Sequence, residues 1–259
     1  MEERTAVLFV AHYIDDELIT RYRKLKEELS PLVYDVIWVM ATNMDDIPVF
    51  PIDIRHKVYV PVNFTHTGYT PIEPTMHPGS CHFIALCFFK DYPRYSHYWF
   101  VEYDVYFTGK WSVLMNDCDT ALRSYDFLSC HIEKFDNMVN RQWAWWYRSN
   151  NCGYPIIECI KGFNPICRYS AKALEYIDKY QKQGYSAHSE VMITTCLYHE
   201  SLSLADIGGT GEFTPKEYRN KFYVQGVGTN NGTIRWRPSF TKEEIEALGT
   251  KEKLFHPVK

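Results

Sequence analysis

The sequence predicts an α/β fold in which helices flank a mainly parallel central sheet. Residues 6–11 form a continuous apolar run, which is typical of a parallel strand that is buried on both faces. Asp15 follows as a good helix N-cap, and residues 18–29 then place apolar side chains along one helix face. A second strand is expected over residues 34–40. Strands separated by helices in this way form right-handed crossover units and hence a parallel sheet.

The elements up to residue 131 continue this alternation. A short strand is expected over residues 57–61, and a buried helix over residues 79–90 leads to a strand that begins near Tyr98. Apolar residues at helical spacing between positions 111 and 122 come next, followed by a strand over residues 126–131. The pattern predicts a layered α/β arrangement.

The second half of the chain is less regular but contains recognisable boundaries. Ser170 is expected to cap one helix, and residues 186–190 to open another. Residues 202–211 indicate a strand that ends in glycines. Thr241 begins a capping box, and Gly249 marks the expected end of that helix.

Length and composition indicate one domain over residues 1–259 and exclude two classes of protein. A formal net charge of −4 argues against a nucleic-acid binder, which needs a basic face. The longest apolar run, residues 83–89, is far shorter than the roughly 20 residues of a membrane span. The eight cysteines show no CxxC spacing, so we expect reduced thiols in a cytoplasmic protein that is at most peripheral to a membrane.

Two carboxylates, Glu102 and Asp104, stand two residues apart in a stretch that is otherwise typical of a buried strand. Residues i and i+2 of a strand face the same side, about 6.6 Å apart along the backbone. Two like charges buried side by side are costly unless a cation joins them, and a hard divalent metal is the simplest such cation. The alternative is that one carboxylate pairs with an arginine while the other ends the strand in water.

The end of the first strand adds three residues to this region. Ligands of parallel α/β sheets bind beyond the carboxyl ends of the strands, so Ala11, His12 and Tyr13 are expected at the same edge as the two carboxylates. The sequence contains neither GxGxxG nor a Walker-type glycine-rich loop. A phosphate ligand would therefore depend on the metal and on basic side chains.

Two further groups of residues carry chemistry without an evident structural reason. Trp143, Trp145 and Trp146 either stack on an acceptor sugar or wedge a helix against the core. Near the end of the chain, His256 and Lys259 supply an imidazole and an ammonium group. This terminal segment either folds back over a ligand, so that His256 binds the metal and Lys259 approaches a diphosphate, or is a frayed end.

The stretch WFVEYDVYFTGKW, residues 99–111, resembles the DXD region of glycosyltransferases with the GT-A fold, with EYD in the place of DXD. These enzymes form the nucleotide-diphospho-sugar transferase superfamily. The resemblance implies a Rossmann-like GT-A fold in which residues 1–131 bind the nucleotide-sugar donor and residues 132–259 bind the acceptor. It also implies a UDP- or GDP-sugar as donor and a carbohydrate or glycolipid as acceptor.

The resemblance further nominates a metal site and a donor site. In the family, the last acid of the motif binds a divalent metal, the first acid reaches it through water or holds the ribose, and a C-terminal His often completes the shell. Asp104, Glu102 and His256 are the corresponding ligands here, for Mn²⁺ or Mg²⁺. The residues expected to contact the donor are Ala11, His12, Tyr13, Glu102 and Lys259.

A general base is needed only for one stereochemical course of the reaction. Inverting transfer requires a base that deprotonates the acceptor hydroxyl, and Glu190 is the candidate, with Asp206 as the second choice. Retaining transfer does without such a base, and the sequence leaves the choice open. A Glu in a first helical turn, as expected for Glu190, is also favourable to the helix dipole alone.

Three other functions fit parts of the pattern. A glycoside hydrolase also needs two carboxylates, although two acids on one strand are poorly placed on either side of a sugar. A nucleotidyltransferase has a similar architecture but commonly uses a glycine-rich basic loop that this chain lacks. A non-catalytic carbohydrate-binding protein would use the tryptophans and bind sugar without metal.

Overall fold

A seven-stranded sheet with helices on both faces lies at the centre of the structure. The computed structural model describes residues 4–42, 47–60, 63–64, 66–73, 79–148, 151–226 and 231–259. The strands in these ranges are β1 (Thr5–Ala11), β2 (Tyr34–Ala41), β3 (His56–Tyr59), β4 (His97–Glu102), β5 (Tyr106–Phe107), β6 (Phe127–Lys134), β7 (Ile160–Ser170), β8 (Leu204–Asp206) and β9 (Leu254–Phe255). The α-helices are α1 (Asp16–Glu28), α2 (His82–Asp91), α3 (Trp111–Ala121), α4 (Ala171–Lys182), α5 (Ser189–His199) and α6 (Lys242–Leu248).

The central sheet is mainly parallel. Its strand order is β3-β2-β1-β4-β7-β6-β8, while β5 and β9 pair in a separate two-stranded sheet. Within the central sheet only β7 is antiparallel to its neighbours, β4 and β6. The predicted α/β fold is confirmed. Strand β7 is missing from the sequence-based expectations, because Lys161, Asn164 and Arg168 interrupt its apolar character.

Two hydrophobic cores, one on each face of the sheet, explain the continuous apolar run of β1. Ala6, Leu8 and Val10 pack into the core that also contains residues of α2, α4 and α5. Val7 and Phe9 pack into the core formed with α1 and α3. Because both faces of β1 are covered, its sequence shows no alternation of apolar and polar residues.

The predicted helix signals are confirmed at the helix ends. The side chain of Asp15 accepts a hydrogen bond from the backbone N–H of Leu18 at 2.8 Å. Ser170 caps α4 in the same way, and Thr241 forms the capping box of α6. Gly249 ends α6 with φ 59°, a conformation that glycine adopts without strain.

Element boundaries differ from the predictions by a few residues. The third strand, expected over residues 57–61, is β3, and position 61 lies outside the described residues. The helix expected over residues 79–90 begins at His82. Every helix in the described ranges falls short of the length and apolarity of a transmembrane span.

A fully buried arginine joins β7 to the end of α3. Arg168 has no exposed side-chain surface, and its Nη1 lies 2.7 Å from Oδ1 of Asp119. The same guanidinium donates to the backbone carbonyl groups of Cys118, Leu122 and Tyr125. Cys118 and Leu122 lie at the C-terminal end of α3, and Tyr125 lies just beyond it. Arg168 therefore satisfies a helix end and a carboxylate together.

We expect Arg168→Met to lower the free energy of unfolding by roughly 3–5 kcal/mol, because it breaks the buried ion pair with Asp119 and removes the guanidinium donor from the carbonyl groups. Urea denaturation measures the change. Arg23→Met is the matched control, since the Arg23–Asp53 pair has nearly half of each side chain exposed and is screened by water. Equal losses in the two variants would contradict a special role for Arg168.

Candidate functional site

Two carboxylates and one imidazole meet at the carboxyl end of β4. Glu102 is the last residue of β4, Asp104 lies in the turn that follows, and His256 directly follows β9. Nε2 of His256 lies 3.6 Å from Oε2 of Glu102 and 3.5 Å from Oδ1 of Asp104. One potential ligand atom of each residue lies within 4.8 Å of the others. The structure thus brings the three expected metal ligands together.

The expectation that Glu102 and Asp104 share one face of a strand is wrong. Strand β4 ends at Glu102, and the N–H of Val105 donates to the carbonyl of Glu102 at 3.0 Å. This bond closes a turn around Tyr103 and Asp104. The turn, not the strand period, places both carboxylates beside the imidazole.

The C-terminal tail, residues 254–259, is an integral part of the fold. Strand β9 pairs antiparallel with β5, and the N–H of Val258 donates to the carbonyl of Asp104 at 2.9 Å. His256 is only 6% exposed. The alternative of a frayed end is therefore wrong for this segment.

The imidazole of His256 is oriented by a backbone carbonyl. Its Nδ1 lies 2.8 Å from the carbonyl oxygen of Arg235, which can only accept, so Nδ1 carries the proton and Nε2 faces the two carboxylates. Burial opposes a charge on this ring, but the contacts with Asp104 and Glu102 outweigh it and raise the pKa of His256 to about 10. The surroundings of Nε2 therefore favour a positive charge, whether a proton or a metal ion.

The three residues fit a divalent metal. Oδ1 of Asp104 is buried and has no hydrogen-bond partner among the described residues, which is costly unless a cation completes its surroundings. Carboxylate oxygens suit Mg²⁺ and Mn²⁺, while an imidazole nitrogen is a ligand of transition metals. The mixed set formed by Glu102, Asp104 and His256 therefore suits Mn²⁺ better than Mg²⁺.

A cavity of about 320 Å³, which we call the first cavity, opens beside these ligands. Its lining includes the acidic residues Glu102 and Asp104 and the basic residues Arg237 and Lys259. Lys259 is exposed at its side chain, while its backbone N–H is held by the carbonyl of Phe240 at 3.0 Å. A phosphate-bearing ligand in this cavity would meet positive charge next to the metal ligands.

Three aromatic rings stand at the end of β1, next to the acidic turn. The rings of His12 and Tyr13 lie 5.1 Å and 5.3 Å from the ring of Tyr103, both edge to face. Ala11 is the buried last residue of β1, and the N–H of Tyr103 donates to the carbonyl of Val10. The predicted donor residues of the first strand thus lie beside the predicted metal ligands, as sheet topology requires.

Glu190, the second residue of α5, has a side chain that is only 13% exposed and lines the first cavity. Burial raises its pKa to about 8, with a smaller contribution from the nearby charge of Glu102. Its Oε2 has no hydrogen-bond partner among the described residues. A buried carboxyl with a free oxygen in a cavity is placed to exchange a proton with a ligand.

A second cavity, of about 710 Å³, lies on the other side of Glu190. Four residues line both cavities: Trp145, Phe163, Glu190 and Trp236. The second cavity also contains Trp143, Lys161 and Glu133 in its lining. Glu190 therefore lies at the boundary between the two cavities.

Five of the expected site residues line neither cavity: Ala11, His12, Tyr13, Trp146 and Asp206. Trp146 is 2% exposed, packs against Phe135 and Trp143, and donates from Nε1 to the carbonyl of Asn140 at 3.0 Å. Of the two alternatives for the tryptophans, packing against the core therefore holds for Trp146, whereas Trp143 and Trp145 line the second cavity.

The carboxylate of Asp206 is occupied by structural hydrogen bonds. It accepts from the backbone N–H groups of Ile132, Gly208 and Gly209 and from the hydroxyl of Tyr223, at 2.7–3.0 Å. The side chain is 2% exposed and lines neither cavity. Asp206 therefore stabilises the glycine turn after β8 through these hydrogen bonds. Glu190 remains the candidate base.

Sequence reasoning missed several cavity residues. Arg237 and Trp236 come from an irregular segment, and Lys161 and Phe163 from the unpredicted β7. The signal that the sequence offers is a charged residue, Lys161, within a strand. Long-range packing decides which of these side chains reach a cavity.

No protein-family model matches the sequence, and no curated protein matches it at a significant level. Among solved structures, the chain is similar to the galactosyltransferase LgtC in complex with donor and acceptor sugar analogs, with 11% identity, 95% of this chain and 78% of that chain covered, and a TM-score of 0.45. It is also similar to mouse xyloside xylosyltransferase 1 in its apo form, with 11% identity, coverage of 80% and 85%, and a TM-score of 0.42.

A third similar structure is core-mannan synthase A from Aspergillus fumigatus in a Mn/GDP form, with 10% identity, coverage of 79% and 73%, and a TM-score of 0.39. The LgtC and mouse structures are described as glycosyltransferases, the class that the acidic motif resembles. Likeness at these TM-scores carries no argument about this chain, so its function has to follow from its own site.

We expect Glu190→Gln to raise the melting temperature of the metal-free protein at pH 8. The pKa of Glu190 is raised in the folded state, so the folded protein binds its proton more tightly than the unfolded chain does, and stability is lost as the pH rises towards about 8. The gain in the variant should shrink as the pH falls towards the ordinary value near 4.5. Thermal denaturation in EDTA at several pH values measures this, and a gain independent of pH would contradict the assignment.

Proposed function

We propose that this protein is a metal-dependent glycosyltransferase that moves a sugar from a nucleoside-diphosphate donor to a hydroxyl group of an acceptor. The observation that carries the proposal is the position of Glu190. Its carboxyl, with an Oε2 that has no hydrogen-bond partner among the described residues, lies between two cavities, and the lining of the smaller one contains a metal-ligand cluster and two cations. A transferase needs this arrangement, because donor and acceptor must meet at one proton-accepting group.

The first cavity suits the donor. Glu102, Asp104 and His256 would hold Mn²⁺ or Mg²⁺, which when bound supplies a Lewis acid that stabilises a diphosphate leaving group. Arg237 and Lys259 add positive charge to the lining of the same cavity. The rings beside β1 offer a stacking surface for the base of a UDP- or GDP-sugar.

The second cavity suits the acceptor. Trp143 and Trp145 line it and offer aromatic faces of the kind on which sugar rings stack. Glu190 faces this space and accepts the proton of the attacking hydroxyl, which corresponds to an inverting reaction. A pKa of about 8 keeps the carboxyl near the balance between proton acceptance and release at neutral pH.

The cluster geometry disfavours a glycoside hydrolase. A hydrolase places a sugar between its two carboxylates, about 5–9.5 Å apart. Glu102 and Asp104 instead both approach one nitrogen of His256, which leaves no room for a sugar between them.

We expect Asp104→Asn to leave the protein folded and to abolish metal-dependent nucleotide binding, because an amide is a far weaker metal ligand than a carboxylate. Thermal shifts with UDP or GDP, with and without MnCl₂, measure the loss. Asp16→Asn, on the exposed first turn of α1, is the matched control and should behave as the parent protein. A manganese-dependent shift that persists in Asp104→Asn would overturn the metal site, and sugar binding by a parent protein that binds neither UDP nor GDP would favour a non-catalytic lectin.

We expect Glu190→Gln to lower turnover by roughly 10²–10⁴-fold with donor affinity retained, the effect of removing a general base. The rates of donor hydrolysis and of sugar transfer are both measured from the release of UDP or GDP. Asp206→Asn separates the two acidic candidates, since it should reduce thermal stability while the folded protein keeps its specific activity. The reverse result for the two variants would show that Glu190 is a structural residue.

A further inference from the structure

The rim of the second cavity exposes two consecutive apolar side chains. Met138 is 92% exposed and Val139 is 80% exposed, and both line the cavity. Scattered exposed apolar residues are ordinary, but an adjacent pair at the mouth of a cavity points to a ligand.

The turn that carries this pair is held by hydrogen bonds. Oδ1 of Asp136 accepts from the backbone N–H of Met138 at 2.7 Å and of Val139 at 3.1 Å. The backbone N–H of Asp136 in turn donates to Oδ1 of Asn140 at 2.9 Å. The turn thus presents the two side chains outward with a defined backbone, rather than leaving them free to fold onto the core.

The wall behind this rim is polar and electrically balanced. Oε1 of Glu133 accepts from Nε2 of Gln225 at 2.9 Å, and its Oε2 lies 3.1 Å from Nζ of Lys161. Lys161 and Arg141 balance Glu133 and Glu190 among the charged lining residues. Lys161, the buried cation of this lining, is already paired with Glu133, whereas neutral hydroxyl groups find both donors and acceptors there.

From this arrangement we infer that the acceptor is a neutral glycoside with an apolar aglycone. Its sugar lies against the tryptophans and the Glu133–Lys161 pair, and the aglycone leaves the cavity over Met138 and Val139. The inference rests on the proposed function, because it takes the second cavity as the acceptor side. The occupant of the rim is the acceptor's own alkyl chain, since the rim is continuous with the cavity.

The test compares methyl and octyl glycosides of glucose, galactose, mannose and xylose, below the concentrations at which octyl glycosides form micelles. Titration of the full chain, followed by tryptophan fluorescence, gives each Kd. At least one octyl glycoside should bind about tenfold more tightly than its methyl counterpart, the effect of burying about two methylene groups. If no pair shows a preference for the octyl form, the inference is wrong.

The double variant Met138→Ser/Val139→Ser localises the effect. It should remove the octyl preference and leave the Kd of the methyl glycoside and the melting temperature unchanged, because both side chains are exposed. Leu32→Ser, 75% exposed at the opposite edge of the sheet before β2, is the matched control and should keep the preference. A preference that survives in the double variant would overturn the inference.

Binding to phosphatidylcholine vesicles distinguishes a glycoside site from a membrane contact. Loss of vesicle binding in the double variant, with glycoside affinities unchanged, would make the rim a membrane contact and overturn the inference. The glycoside titrations need neither nucleotide nor metal, whereas the Asp104→Asn thermal shifts need both. Failure of the proposed function and failure of this inference are therefore distinguishable.

Discussion

The attachment of the C-terminal tail to the acidic turn is the interaction on which the site depends. Strand β9 pairs with β5, and the N–H of Val258 donates to the carbonyl of Asp104. The N–H of Thr108 donates in turn to the carbonyl of Lys253 at 3.0 Å. These bonds deliver an imidazole to two carboxylates that would otherwise repel each other at a buried position. A backbone contact thereby decides the electrostatics of the whole centre.

The one antiparallel strand of the central sheet gives the site its second half. Strand β7 has 11 residues, whereas β4 has six, and their pairing matches His97 with Ser170 and Val101 with Ile166. Residues 160–164 therefore run past the end of β4, over the edge where the metal ligands lie. This overhang supplies Phe163, which lines both cavities, and Lys161, which lines the second.

The local parts of the fold are predictable from sequence, and the long-range parts are not. The apolar run of β1, the cap at Asp15 and the capping box at Thr241 follow from rules that involve a few neighbouring residues. The acidic motif and a C-terminal His identify the candidate metal ligands in the sequence. Their proximity in space depends on the pairing of β9 with β5, which lies about 150 residues earlier in the chain. Asp206 shows the opposite limit: an acid at a glycine turn looks the same in sequence whether it faces a cavity or, as here, holds backbone N–H groups.

The buried Arg168 has a consequence for how this chain can change over evolution. Side chains of a strand alternate between faces, so a slip of β7 by one residue would move the guanidinium away from Asp119 and the end of α3. Arg168 thus fixes the alignment of the strand whose other end carries Phe163 and Lys161. The residue that sets the alignment is separate from the residues that would meet a ligand. Substitutions in the overhang can therefore change the lining of the second cavity in descendant sequences while the alignment of the sheet stays the same.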